Sequence, residues 1–330
     1  MFRATWHGGD LRSYGFVVAG TAALVALAAG GCGNEPAAPG NADSVVATIP
    51  VPGGAYGIAV APTGTVYATQ PGGSTLVHIS LSTLSVVRSV PVGAAPTGVA
   101  FSSDGATAYV TNQFSRNLGI VSVAADSQVD AVAVHGDPFV TLPSPDGSRV
   151  YVAANDDSLF VVDPAARTVT ASLHTGSAPN GLAFNPAATR LYVSNFVGRN
   201  VVEVDPAIPL VLRTFTTGGT PQGLAVSADG SELYVANEDG WLDVFDLSTG
   251  ARADSVPLAG PAFGLALSPD GAVLYVGLIR NGAVAVVRRA THRVIKTLVT
   301  GGDPRRIAFT ADGRHAVIAN LAGWVDVVTR

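Results

Sequence analysis

The sequence predicts an all-β fold built from one repeated unit, and three observations predict it. Of the 330 residues only 13% are charged, while 38 are glycine and 21 are proline. That balance suits short strands joined by tight turns better than long helices with solvated faces. A turn followed by a short apolar run, as in "SADGSELYVANEDG" at residues 227–240, returns seven times. The copies lie 41 or 42 residues apart: Gly105, Gly147, Gly230, Gly271 and Gly313 each follow an aspartate, and Gly64 and Ala188 hold the place in two degenerate copies. A period of this length is the signature of a repeat architecture.

Within each copy the order of elements is constant. A short apolar strand such as "GLAFNP" leads into the Asp-Gly turn, where glycine supplies the positive φ that a tight hairpin needs. A second strand such as "LYVSN" follows, then a loop, a third strand such as "VVEVDP" and a fourth such as "TVTASLH". Four antiparallel strands in about 40 residues match one blade of a propeller, which cannot bury both of its faces alone. Seven such units predict a seven-bladed β-propeller over residues 44–330. The last copy stops at "GWVDVVTR", after its third strand, whereas "VVATIPV" at 45–51 matches "VVRSVPV" at 86–92, a fourth strand. The N-terminal strand at 45–51 is therefore expected to complete blade seven and to pair an edge that would otherwise be open.

Ahead of the repeats, Arg3 and Arg12 precede the uncharged stretch "GFVVAGTAALVALAAGG" at 15–31, and the single cysteine, Cys32, comes directly after it. This layout resembles a bacterial lipoprotein signal, with Ala29 where that pattern prefers leucine. The resemblance implies a signal peptide at 1–31, lipid on Cys32, and a polar Pro/Gly-containing tether at 32–43 reaching about 20 Å as a flexible coil. An uncleaved signal anchor, or ordinary cleavage beside an incidental cysteine, are the competing readings. With one cysteine no intrachain disulfide forms, so packing and hydrogen bonds must hold the fold.

"AYVTN" at 108–112, "LYVSN" at 191–195 and "LYVAN" at 233–237, each after an Asp-Gly type turn, resemble the YVTN repeat of bacterial and archaeal seven-bladed propellers. The resemblance spans about residues 44–330. It implies the fold and leaves the activity open, because such propellers serve as cell-surface, envelope, lactonase-like and haem-binding modules. Blade six departs with Leu278 in the Asn slot, and blade seven with Val317 in place of Tyr.

In a propeller the first strand of each blade begins at one face, beside the central channel. Aligned on the turn, the residues entering that strand are Tyr56, Thr97, Phe139, Asn180, Gln222, Phe263 and Arg305. Three aromatics, three neutral polar groups and one cation are the mixture of a small-ligand site, with Arg305, supported by Arg306, suited to a carboxylate or phosphate. The competing reading is a plug of packed side chains and ordered water. Asn112, Asn195, Asn237 and Asn320 are expected to satisfy backbone where the second strands end. Asp163, Asp205 and Asp246, with Asp137 and Asp303, read as turn residues.

The net charge of −5 carries no basic stripe, which argues against nucleic acid and against a polybasic membrane patch. No G-x-S-x-G or H-E-x-x-H motif occurs, and the six histidines occupy unrelated slots, so no catalytic residue, metal site or cofactor is expected. The resulting expectation is a monomeric, non-catalytic, envelope-anchored propeller that binds a protein, glycan or small ligand through its loop-rich channel face. A lactonase-like hydrolase is the alternative from another class, and requires a carboxylate, histidine or metal at the mouth. A surface-layer or adhesion module is a third.

Overall fold

Twenty-eight strands in a computed structural model describing residues 43–330 form seven four-stranded antiparallel sheets, the predicted seven-bladed propeller. The expected signal peptide at 1–31, Cys32 and all but the last residue of the expected tether at 32–43 lie outside the described residues. Blade four is representative: Pro179–Phe184, Leu191–Asn195, Asn200–Asp205 and Leu210–Thr216 pair in chain order from the channel outward. The turn between the first two strands is made as its sequence demands. In blade two Gly105 takes φ +71°, and the Asp104 carboxylate accepts the Ala106 amide and the Ser102 hydroxyl. The same arrangement recurs at Asp146, Asp229, Asp270 and Asp312.

Blade seven is closed from both ends of the chain. Pro304–Phe309, His315–Asn320 and Trp324–Thr329 are completed by Ser44–Pro50, which pairs antiparallel with the third of them in the register Ser44 to Thr329 and Pro50 to Trp324. Ile49 and Val51, each 1% exposed, then join Val317, Val325 and Val327 of blade seven and Ile58 and Val66 of blade one.

The core is divided rather than central. Seven apolar clusters occur, each at the junction of two neighbouring blades, such as Leu242 and Val244 of blade five against Leu274 and Val276 of blade six. Each blade thus buries both faces only because it has two neighbours, which is why the ring must close. Near the channel the blades approach backbone to backbone. Gly57, Gly98, Gly181, Gly223 and Gly264 share one slot, and a Cβ at Gly264 would lie 2.1 Å from the Arg305 carbonyl oxygen. In blades one, two and four a hydroxyl two residues after the repeat tyrosine bridges the gap. Thr111 Oγ1, for instance, accepts from the Gly98 amide at 2.7 Å and donates to the Phe139 carbonyl at 3.0 Å.

The repeat tyrosine itself ties blades together at the opposite face, a role that sequence reading missed. Tyr67 donates to Asp126 of blade two at 2.5 Å, Tyr151 to the Pro206 carbonyl of blade four at 2.9 Å, and Tyr234 accepts from Arg289 of blade six at 3.0 Å. Tyr275 of blade six donates to Asp43, so the N-terminal segment also stands in for the turn that blade seven lacks.

Inside blade seven the buried Asp326 accepts from Thr48 Oγ1 (3.0 Å), Trp324 Nε1 (2.9 Å) and Asn320 Nδ2 (3.3 Å), all three of them neutral donors. Burial pushes its pKa above the ordinary aspartate value. A carboxyl with a raised folded value stabilises most below its unfolded value, and that contribution is lost as pH rises through the folded value. Asp326→Asn preserves the shape, and the Thr48 hydroxyl turns to accept from the new amide. The variant is expected to gain stability relative to the parent as pH rises from 4 to 8, measured as the difference between their melting temperatures.

Candidate functional site

The residues that enter the first strands do converge at one end of the channel, and they touch one another rather than line an open bore. Tyr56 packs edge-on against both Phe139 and Phe263, with ring centroids 5.8 Å apart in each pair. This joins blades one, three and six across the ring. The Arg305 guanidinium lies 4.8 Å from the Phe263 centroid and 5.6 Å from that of Tyr56. On the other side of the mouth, Asn180 Nδ2 donates to Gln222 Oε1 at 2.5 Å, and Ser194 Oγ donates to Asn180 Oδ1 at 3.0 Å. The Tyr56 phenol is pushed up to about 12, because burial outweighs the opposing pull of Arg305 and Arg306.

Three features depart from the sequence-based expectation. Thr97 is not presented to a ligand: its hydroxyl donates to the Phe139 carbonyl at 2.8 Å and meets Thr111 Oγ1 at 3.1 Å. The mouth does contain carboxylates. Asp303, expected to be a turn residue, pairs with Arg305 Nη2 at 2.7 Å. Glu238 accepts from Gln222 Nε2 at 2.6 Å, and burial raises its pKa despite that bond and the nearby charges of Arg305 and Arg280.

Glu238 was legible in principle. Its slot, the residue after the Asn position, holds Pro71, Gln113, Asn155, Phe196, Glu238, Ile279 and Leu321, and Glu238 is the one acid among them. From the second blade to the seventh, the backbone N–H of this slot donates to the residue just before or at the start of the first strand, which places the slot at the mouth.

Arg306 is the third departure, and its cause is steric. It occupies the slot that is glycine in five blades and Val140 in blade three. Its side chain reaches across the channel, where Nη2 donates to the Asn180 carbonyl of blade four at 3.0 Å while the guanidinium sits 5.1 Å from the Phe263 centroid. Part of its surface remains open to the channel, yet protein surrounds it, and burial pushes its pKa down.

The four repeat asparagines are fully buried, and each donates at its strand end: Asn195 to the Thr175 carbonyl at 2.9 Å and Asn320 to the Gly301 carbonyl at 3.0 Å. Asn112 differs by bonding the Asn117 side chain, and Asn237 adds the Asp243 carboxylate. Asp163, Asp205 and Asp246 accept turn amides as expected. Around the mouth the loops expose Phe114 (75%) and Val197, and the third strand of blade five begins on the exposed Trp241 (40%), beside ion pairs such as Arg116 with Asp137 at 3.5 Å. Among the described residues no three His, Cys, Asp or Glu side chains are grouped to hold a metal ion.

No family model matches the chain, and no curated protein matches it. Among solved structures it is similar to a chain of Kuenenia stuttgartiensis hydrazine synthase, at 20% identity and a TM-score of 0.77, covering 85% of this chain and 96% of that one. At that identity the likeness supports the propeller fold alone.

Proposed function

We propose that this protein is a non-catalytic binding propeller of the bacterial envelope, anchored through lipid on Cys32 and receiving its ligand or partner at the channel mouth. The observation that carries the mouth assignment is the convergence of Tyr56, Phe139 and Phe263 with Arg305 and Arg306 at one end of the ring. Apolar faces beside a few directed polar groups are what a small-molecule or hot-spot site needs. The exposed Phe114 and Trp241 extend that surface outward. The YVTN-type repeats and the lipoprotein-like leader support the envelope placement.

Native mass spectrometry of the chain extracted from its own membranes tests both halves. The expected result is a mature N-terminus at Cys32 carrying lipid, with a retained ligand or partner that is lost in Phe139→Ala/Phe263→Ala while the melting temperature still reports a folded ring. An unlipidated chain sinks the anchor, and retention unaffected by the double variant moves the site away from the mouth. One observation favours the hydrolase reading as a second choice: Glu238, held by Gln222 next to Arg305, is the carboxylate that reading requires. Turnover of a lactone panel that disappears in Glu238→Gln would establish it.

A further inference from the structure

The two arginines at the mouth are not equivalent. Arg305 is matched by Asp303 at 2.7 Å and held between two aromatic faces. Arg306 has no carboxylate partner among the described residues: one of its five donors meets the Asn180 carbonyl, and one face meets Phe263. An enclosed cation without a counter-charge is costly, and removing it from water is favourable only when an anion or several acceptors complete its shell. The Tyr56 hydroxyl, in the same cluster, makes no hydrogen bond within the described residues.

We infer that the mouth binds a small organic monoanion, a carboxylate on a flat apolar body, with its oxygens on Arg306 and Tyr56 and its body against Phe139, which Phe263 backs through Tyr56. This rests on the reading of the mouth as the binding site and names its ligand class. The guanidinium fork matches a carboxylate in two parallel hydrogen bonds. Charge balance selects a single negative charge. Arg305 is neutralised by Asp303, and Glu238, held by Gln222, lies within electrostatic reach of both Tyr56 and Arg305, so a dianion would meet two carboxylates with one free cation to offset them. Phe263 is covered by Arg305, Arg306 and Tyr56, so the half-buried Tyr56 and Phe139 rings are the apolar surface left to the ligand, and ring surfaces suit a planar body better than a branched one.

The test is calorimetric titration of the folded chain with benzoate, benzamide and inorganic phosphate. Benzoate is expected to bind at least about tenfold more tightly than benzamide, which lacks the charged acceptor, and than phosphate, which lacks the apolar body and carries more than one negative charge near neutral pH. That wild-type comparison needs no variant. Arg306→Gln is expected to weaken benzoate about tenfold or more, and Arg306→Lys, which keeps the charge without the fork, by an intermediate factor. Arg314→Ala, exposed on the opposite face, should leave it unchanged.

Equal binding of benzamide and benzoate overturns the inference, as does benzoate binding that survives Arg306→Gln. If such binding is still lost in Phe263→Ala, the mouth remains the site and only its anion preference falls. If it survives Phe263→Ala as well, both fall. No benzoate binding to the wild-type chain overturns the inference alone, because partner retention tests the mouth separately.

Discussion

Deletion of residues 44–51 is expected to open the ring and leave an aggregating chain. The segment supplies the whole outer strand of blade seven, paired from Ser44 with Thr329 to Pro50 with Trp324. It also supplies Ile49 and Val51, which are buried against blades seven and one. Truncating one such aliphatic side chain costs about 2–5 kcal/mol through lost transfer energy and the cavity left behind. Losing two together with the strand ladder and the Thr48–Asp326 bond approaches the roughly 5–15 kcal/mol that stabilises a typical domain. The exposed strand Trp324–Thr329 then offers unpaired backbone to another chain. Urea unfolding with size-exclusion chromatography reads both effects. A monomeric truncation with an unchanged midpoint would exclude closure by this strand, and Ile49→Ala should show a graded loss of about 2–4 kcal/mol.

The second large effect is expected at Gly264. A Cβ there would meet the Arg305 carbonyl oxygen at 2.1 Å and the Arg306 Cα at 3.0 Å, both on the neighbouring blade's backbone. Neither can rotate away, so Gly264→Ala must push the first strands of blades six and seven apart. Overpacking of a tight interior costs about 1–3 kcal/mol and more when backbone has to move. The loss should reach the upper end of that range and displace Arg305 and Arg306. A denaturation midpoint within error of wild type would show that the blades separate freely. Val140→Ala, in the same slot of blade three where the chain already accommodates a side chain, should cost clearly less.

Both effects arise from features with different legibility. The closing strand could be read because "VVATIPV" and "VVRSVPV" are copies of one local pattern, and a missing fourth strand at one end has a spare one at the other. The seven mouth positions could be read because the turn glycines set a common register. Thr97 could not be assigned from its position: whether a threonine faces the channel or bonds the next blade's Phe139 carbonyl depends on how closely two strands approach. Glu238 stands in a loop that differs from blade to blade, so its chemistry shows only when the slot that recurs in every blade is compared. Asp303 reads as a turn residue because Gly-Asp-Pro is turn chemistry, and its pairing with Arg305 depends on a rotamer.

The sequence by itself determined the number of blades, their strand order and the way the ring closes. Those properties rest on near-neighbour sterics: alternation along a strand, positive φ at a turn glycine, and a repeat that cannot bury its faces alone. Which side chains meet at the mouth was decided only by the tertiary structure. Arg306 reaches Asn180, 126 positions away in the chain, because the ring brings blades four and seven to face each other and because the glycine slot of blade seven is filled. Such a contact depends on the diameter of the closed ring and on the spacing of its inner strands, and no local pattern in the chain encodes either.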